Sequence, residues 1–132
     1  MSQGSGFVPS ADDVVYFKDP DGAIDVESQL DELSKLDQGD LSVILTRLWK
    51  YPELLDDVRR RVEPVRAISF NGRLWVVYWV HTQPRGNPAA TWRCVVILVI
   101  SVLHEPSSEV PEPEFALALE RYARDLRIRS GT

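Results

Sequence analysis

Few side chains in this 132-residue chain could carry acid–base or nucleophilic chemistry. His81 and His104 are its two histidines, and histidine is the side chain that exchanges a proton near neutral pH. Cys94 is the single cysteine, and its apolar neighbours predict a packed small hydrophobe rather than a nucleophile. These three residues have no short metal-ligand spacing, and the chain holds no glycine-rich phosphate loop. We therefore expect neither a metal nor a cofactor.

The charged side chains divide unevenly along the chain. Residues 1–58 contain thirteen acidic and four basic residues, a net charge of −9. Residues 59–132 contain seven acidic residues and eleven arginines, a net charge of +4. Arginine has a planar guanidinium group that suits forked contacts with carboxylate or phosphate. Two interpretations stay open: the arginines face an anionic partner, or the two halves of the chain attract each other.

Length and composition indicate one folded domain. The mass is 15.0 kDa, and 44% of the residues are hydrophobic and 27% charged, which is close to the average for globular proteins. We place the domain at residues 14–128, between a flexible N-terminal tail over 1–13 and a C-terminal tail over 129–132. The first residues do not resemble a secretory signal, and the apolar run Cys94–Leu103 is shorter than a membrane helix. We expect a cytoplasmic protein with no membrane partner.

The first half of the domain shows mainly helical periodicity. Val14–Phe17 predicts a short strand closed by a Pro-Asp-Gly turn. The leucine spacing that follows predicts an amphipathic helix with Asp25 as its N-cap and Gly39 as its left-handed C′ residue. A second helix capped by Asp40 would complete a helical hairpin, and Glu53–Arg61 would add one more helical turn.

The second half alternates with the two-residue period of strands. This period predicts strands at Val65–Phe70 and Arg73–Thr82, with a type I′ turn at Asn71-Gly72. Thr91–Leu103 is apolar on both faces, which periodicity alone does not distinguish from a helix, and its β-branched content favours a strand. A final helix begins near Pro113, and its inner stripe comprises Phe115, Ala118, Leu119, Tyr122 and Leu126. The predicted order is β-α-α-β-β-β-α, an α+β fold in which helices pack on one side of an antiparallel sheet.

Three stretches of the chain match the pattern of a known family. Val15–Lys35 has a short aromatic strand before a leucine-patterned helix, and Asn71–Trp79 has the glycine and aromatic spacing of a hairpin. Ile97–Arg121 joins a long apolar strand to a helix that opens with Pro-x-x-Glu. Together they resemble the RelE/ParE toxin superfamily, in particular its phage-derived, HigB-like branch, over residues 14–127.

The resemblance implies a metal-independent endoribonuclease that acts on ribosome-bound messenger RNA, or a toxin with another target of the superfamily such as a gyrase. An antitoxin would normally cover it. RNA cleavage requires a group that takes the 2′-hydroxyl proton and a cation beside the phosphate. The catalytic candidates are two arginines as phosphate clamps, a histidine and a tyrosine: Arg73, Arg93, His104 and Tyr78. The binding candidates are Trp75, Trp79, His81, Arg121 and Arg124.

A second class of function stays open. The family has a lysine-rich segment after its last strand, but His104–Glu109 contains neither lysine nor arginine. The chain would then be a non-catalytic, phage-encoded binding module or inhibitor that occupies a host protein. Its contact surface would be either the sheet face that Trp75 and Trp79 share, if no helix covers it, or the acidic helical hairpin.

Overall fold

The computed structural model describes residues 10–20, 22, 25–52, 58–86 and 90–130. Its elements confirm the predicted α+β class. The strands are β1 (Asp13–Tyr16), β2 (Val58–Val62), β3 (Val65–Ile68), β4 (Leu74–Arg85) and β5 (Ala90–Val102). The helices are a 3-10 helix (Val26–Glu32), α1 (Lys35–Lys50) and α2 (Glu112–Arg129).

The five strands form one mixed sheet in the order β1-β5-β4-β3-β2. Neighbouring strands are antiparallel except for β1, which runs parallel to β5 with Asp13 opposite Cys94 and Tyr16 opposite Ile97. The prediction of a wholly antiparallel sheet was therefore wrong at this edge. Side-chain alternation defines the faces of a strand but does not define the direction of its neighbour.

Helices cover both faces of the sheet, which corrects the prediction that they pack on one side. Tyr16 of β1 lies against α1, whereas the next residue, Phe17, lies 6.0 Å beneath the guanidinium of Arg121 on α2. Successive residues along a strand point to opposite faces. The central strands β4 and β5 are apolar on both sides for this reason. The structure confirms both predicted strands, β4 from its alternation and β5 from its β-branched content.

The long strand β5 contains one bulge, at Leu98. Ile97 lies opposite Tyr78 and Val99 lies opposite Val77, so Leu98 is the extra residue. Its carbonyl oxygen accepts a hydrogen bond of 2.7 Å from Arg121 of α2. The arginine thereby provides a partner for a backbone group where the bulge disrupts the regular ladder, and it fixes α2 on this face of the sheet.

The helical region between β1 and β2 differs from its prediction. Asp25 is the N-cap, as expected, because its side chain accepts from the N–H of Glu27, but the helix that it caps is a short 3-10 helix. Ser34 then caps α1 by accepting from the N–H of Asp37. Gly39 and Asp40 consequently lie inside α1 and are neither a C′ residue nor a cap. The leucine spacing continues across the junction between the 3-10 helix and α1, so periodicity alone did not reveal where one helix ends and the next begins.

Val58–Arg61 forms most of strand β2 instead of the predicted helical turn, and the rest of that predicted turn, residues 53–57, lies outside the described residues. Three arginines in a row gave this segment no recognisable alternation. Pairing with β3 determines the conformation, and Arg60 also stacks 4.1 Å over the Phe115 ring of α2. Strand propensity depends strongly on such neighbours.

The chain reverses at Asn71-Gly72, as predicted, but the turn is not type I′. A type I′ turn needs a positive φ at both central residues. Gly72 has a φ of +75°, but Asn71 does not, because no non-glycine residue in the described part of the chain has a positive φ. Asn71 Oδ1 instead accepts from the N–H groups of Arg73 and Leu74. The Ser69 hydroxyl oxygen accepts from the N–H of Gly72.

Three smaller predictions also change. Ala11 is buried and its N–H donates to the carbonyl of Trp49, so the ordered domain begins before residue 14. Residues 1–9 of the predicted tail lie outside the described residues. Arg129 belongs to α2 and is ion-paired with Asp125. Leu126, expected on the inner stripe, is exposed, and Asp125 is buried instead.

Candidate functional site

The predicted catalytic side chains lie in three separate places. Arg73 precedes β4, and its carbonyl accepts from the N–H of Leu103, so His104 is at the same end of the sheet. Arg93 lies opposite Thr82, next to His81, toward the far end of the β4–β5 hairpin. Nine residues of extended chain separate the two ends, a distance of about 30 Å. No substrate phosphate could contact both Arg73 with His104 at one end and Arg93 with His81 at the other.

Tyr78 lies between these ends and is fully buried. Burial raises the pKa of its phenol above the ordinary value, and the opposing effect of the nearby Arg66 charge is smaller. The side chain is therefore uncharged at neutral pH. It belongs to the core and has no solvent-facing surface for an RNA substrate.

The predicted arginines bind acceptors of the protein itself. Arg73 forms a 2.9 Å ion pair with Asp37 and a 3.0 Å hydrogen bond to the carbonyl of Leu103. Arg124 is ion-paired with Asp19. These two pairs join the acidic first half of the chain to the arginine-rich second half, in agreement with the interpretation that the halves attract each other. Arg93 differs, because its buried Nε has no hydrogen-bond partner among the described residues.

Trp75 and Trp79 share one face of β4, but helix α2 and the neighbouring loop cover that face. Their exposures are only 1% and 5%. The Trp79 indole donates a 2.9 Å hydrogen bond to Asp125 and contacts the Tyr122 ring edge-on at 5.0 Å. His81 is half-buried beside Trp79, with 5.3 Å between ring centroids. The aromatic face is part of the core and is not a contact surface.

A groove of about 550 Å³ lies between the 3-10 helix and α1, with Tyr16 of β1 also lining it. We refer to it as the α1 groove. One stripe of α1 and two residues of the 3-10 helix form the rest of its walls: Leu30, Asp31, Gln38, Leu41, Ser42, Leu45, Thr46 and Trp49. Trp49 is 47% exposed although it is the largest apolar side chain there. An exposed apolar surface with a polar rim is typical of a protein contact site.

Two acidic residues, Glu27 and Asp31, lie at the α1 groove. Burial raises the pKa of the Tyr16 phenol, and the negative charge of Glu27 raises it further. Asp31 is the charged residue among those that line the groove. The groove therefore suits an apolar ligand that carries a positive charge, and it disfavours phosphate.

The helical periodicity of residues 41–49 gives one apolar set: Leu41, Ile44, Leu45, Leu48 and Trp49. Core packing requires Leu41, Ile44 and Leu48, which are all buried on one stripe of α1. Leu45 and Trp49 extend the apolar surface beyond that stripe. An apolar stripe wider than one buried face was the available signal, and the separate assignment of two long helices hid it.

Cofactor and membrane features can be stated for the described part of the chain. It holds no group of three or more histidine, cysteine, aspartate or glutamate side chains arranged to bind a metal ion. None of its helices combines the length and the apolar character that a membrane span requires.

Comparisons with known proteins found no similar protein. No family model, no curated protein and no solved structure matches the chain. Functional inference therefore rests on the geometry described above.

Proposed function

We propose that this chain is a non-catalytic protein-binding domain and that the α1 groove is its contact surface. The observation that carries the proposal is the apolar wall formed by the exposed Trp49 and the partly buried Leu45, next to Tyr16. A half-exposed tryptophan offers a large apolar area to a partner, and tryptophan is enriched among residues that dominate binding energy.

The partner proposed for this groove is a protein segment with apolar side chains next to a lysine or arginine. The apolar side chains would pack against Leu45 and Trp49. The basic side chain would lie near Asp31 and Glu27, whose charges face this region. Complementary charge improves both the rate and the specificity of association.

Selection from a display library of random linear peptides tests this proposal. The selected peptides should combine apolar residues with lysine or arginine, and they should bind the purified chain in solution. Trp49→Ala and Leu45→Ala should each weaken binding by at least about tenfold. Val43→Ala is the matched control, because Val43 is an exposed apolar residue of the same helix that does not line the groove. Equal losses in all three variants, or no selected peptide, would contradict the proposal.

The endoribonuclease reading stays a prediction, and the separation of Arg73 and His104 from Arg93 weighs against it. Expression in a growing bacterium distinguishes the two classes. We expect no arrest of translation. Arrest that disappears when Arg73, Arg93 or His104 is changed to alanine would support the enzyme instead.

A further inference from the structure

The two edge strands of the sheet are protected to different degrees. An edge strand presents unpaired N–H and C=O groups, and soluble proteins usually protect it with charged side chains, proline or a bulge. Strand β2 has such protection, because three of its five residues are arginines and its pairing with β3 shifts register between Val58 and Arg60. Strand β1 has less protection, because it contains no proline and no register shift and its single charged residue is Asp13.

The edge of β1 adjoins the α1 groove. Tyr16 belongs to both, since it is the last residue of β1 and part of the groove lining. The 3-10 helix packs on β5, and β1 is the last strand of the described sheet, with no described strand paired to its outer edge. Just beyond the strand, the backbones of Lys18 and Asp25 form an isolated antiparallel β-bridge. This bridge limits the free edge to about the four residues of β1.

We propose that the partner binds as an extended strand that pairs with the free edge of β1, and this inference rests on the proposed function of the α1 groove. Main-chain hydrogen bonds would provide affinity along Asp13–Tyr16. Alternate side chains of the added strand point to the same face as Tyr16, and these enter the groove beside Leu45 and Trp49. Strand addition of this kind combines backbone pairing with side-chain pockets at every second residue.

Charge favours a foreign basic segment over a second copy of this chain. Asp13 begins β1, whereas Glu27 and Asp31 lie near Tyr16 at its other end. Antiparallel pairing of two β1 strands would bring Asp13 of each copy toward Glu27 and Asp31 of the other. Like charges across a strand pair are destabilising. A segment with lysine or arginine beside its apolar residues meets opposite charges at both ends.

N-methylation of the selected peptide, one backbone amide at a time, tests the mode of binding. An added strand donates only alternate N–H groups to its neighbour, so methylation should weaken binding by about tenfold or more at every second position and little between them. Amide hydrogen exchange of the full chain should slow within residues 13–16 when the peptide is bound. Leu36→Ala serves as the surface control, because Leu36 is exposed and lies outside the groove.

The outcomes separate this inference from the proposed function. Methylation effects that follow a helical spacing, or unchanged exchange at β1, would overturn strand addition. The proposed function would survive that result if Trp49→Ala still abolished binding. A library that yields no peptide would overturn both. A charge reversal, Asp31→Lys, should also lower affinity for a basic peptide by about tenfold, and an unchanged affinity would contradict the role of charge.

Discussion

Arg73 illustrates how a residue with catalytic chemistry can have a structural role. Its guanidinium joins Asp37 of α1 to the carbonyl of Leu103 after β5, so one side chain links a helix to the end of the sheet. Asp37 is buried, and a buried carboxylate that loses its partner retains the full cost of its desolvation. The type and position of the arginine were evident in the sequence, but its partner was not.

Replacement of Arg73 measures how much its ion pair with Asp37 contributes to stability. We expect Arg73→Ala to lower the free energy of unfolding by about 1–2 kcal/mol, a moderate value because the arginine is one-third exposed. The measurement is urea denaturation of Arg73→Ala, Asp37→Ala and the double variant. A coupling energy near zero in that cycle would show that the ion pair contributes nothing to stability.

Tyr78 gives a prediction at alkaline pH. Burial raises the pKa of its phenol above the reference value of 10.0. Above that pH the unfolded chain loses the proton while the folded chain keeps it, so the stability contribution is complete below pH 10 and falls as the pH rises toward the folded pKa. Tyr78→Phe should flatten this fall. Urea unfolding between about pH 8 and pH 11 measures it, and parallel profiles for the variant and the original chain would contradict the prediction.

At the scale of elements, predictions succeeded where one local pattern determines the structure. The alternation of β4, the β-branched content of β5 and the Asn71-Gly72 reversal were visible because each depends on residues close together in the sequence. Strand β2 and the parallel partner of β1 depend on segments far along the chain. The groove was missed for the same reason, because Tyr16, Asp31 and Trp49 come together only after folding.

The Ser34 cap has a local sequence signal, although the helix start was predicted elsewhere. Ser34 followed by Asp37 is the serine-x-x-acid spacing of a helix start, and the Ser34 hydroxyl oxygen accepts from the N–H of Asp37. The glycine at position 39 suggested a helix end instead. Glycine destabilises a helix interior, whereas it is favoured just after a helix end because it readily adopts a positive φ.

Substitutions of Gly39 and Gly72 test the backbone conformation at each glycine. Gly39 lies inside α1 with open space where a Cβ would be, so Gly39→Ala should stabilise the protein by about 1 kcal/mol. Gly72 has a φ of +75°, and a Cβ there would lie 2.7 Å from the carbonyl oxygen of Ser107. Gly72→Ala should destabilise by about 1–3 kcal/mol. Thermal and urea unfolding measure both, and destabilisation by Gly39→Ala would restore the predicted helix end.

At the scale of the whole molecule, the uneven charge has two consequences. Within the chain, Arg73–Asp37 and Arg124–Asp19 join the two halves. Outside it, the acidic residues near β1 remain exposed: Asp13, Glu27 and Asp31. In the proposed binding mode these charges favour a basic partner segment, and they also oppose pairing between two copies of the chain.

Self-association tests that dependence. We expect a monomer of 15.0 kDa in sedimentation velocity at micromolar concentration and physiological salt. The double reversal Glu27→Lys with Asp31→Lys would place two lysines opposite Asp13 of a second copy in an antiparallel β1 pair, and it should shift the chain toward dimers. Reversal of the exposed Glu105 and Glu120 together to lysine is the matched control, because it makes the same change of +4 in net charge away from this edge. Dimerisation of the original chain, or an equal response to the control, would mean that charge at β1 does not keep the open edge unpaired.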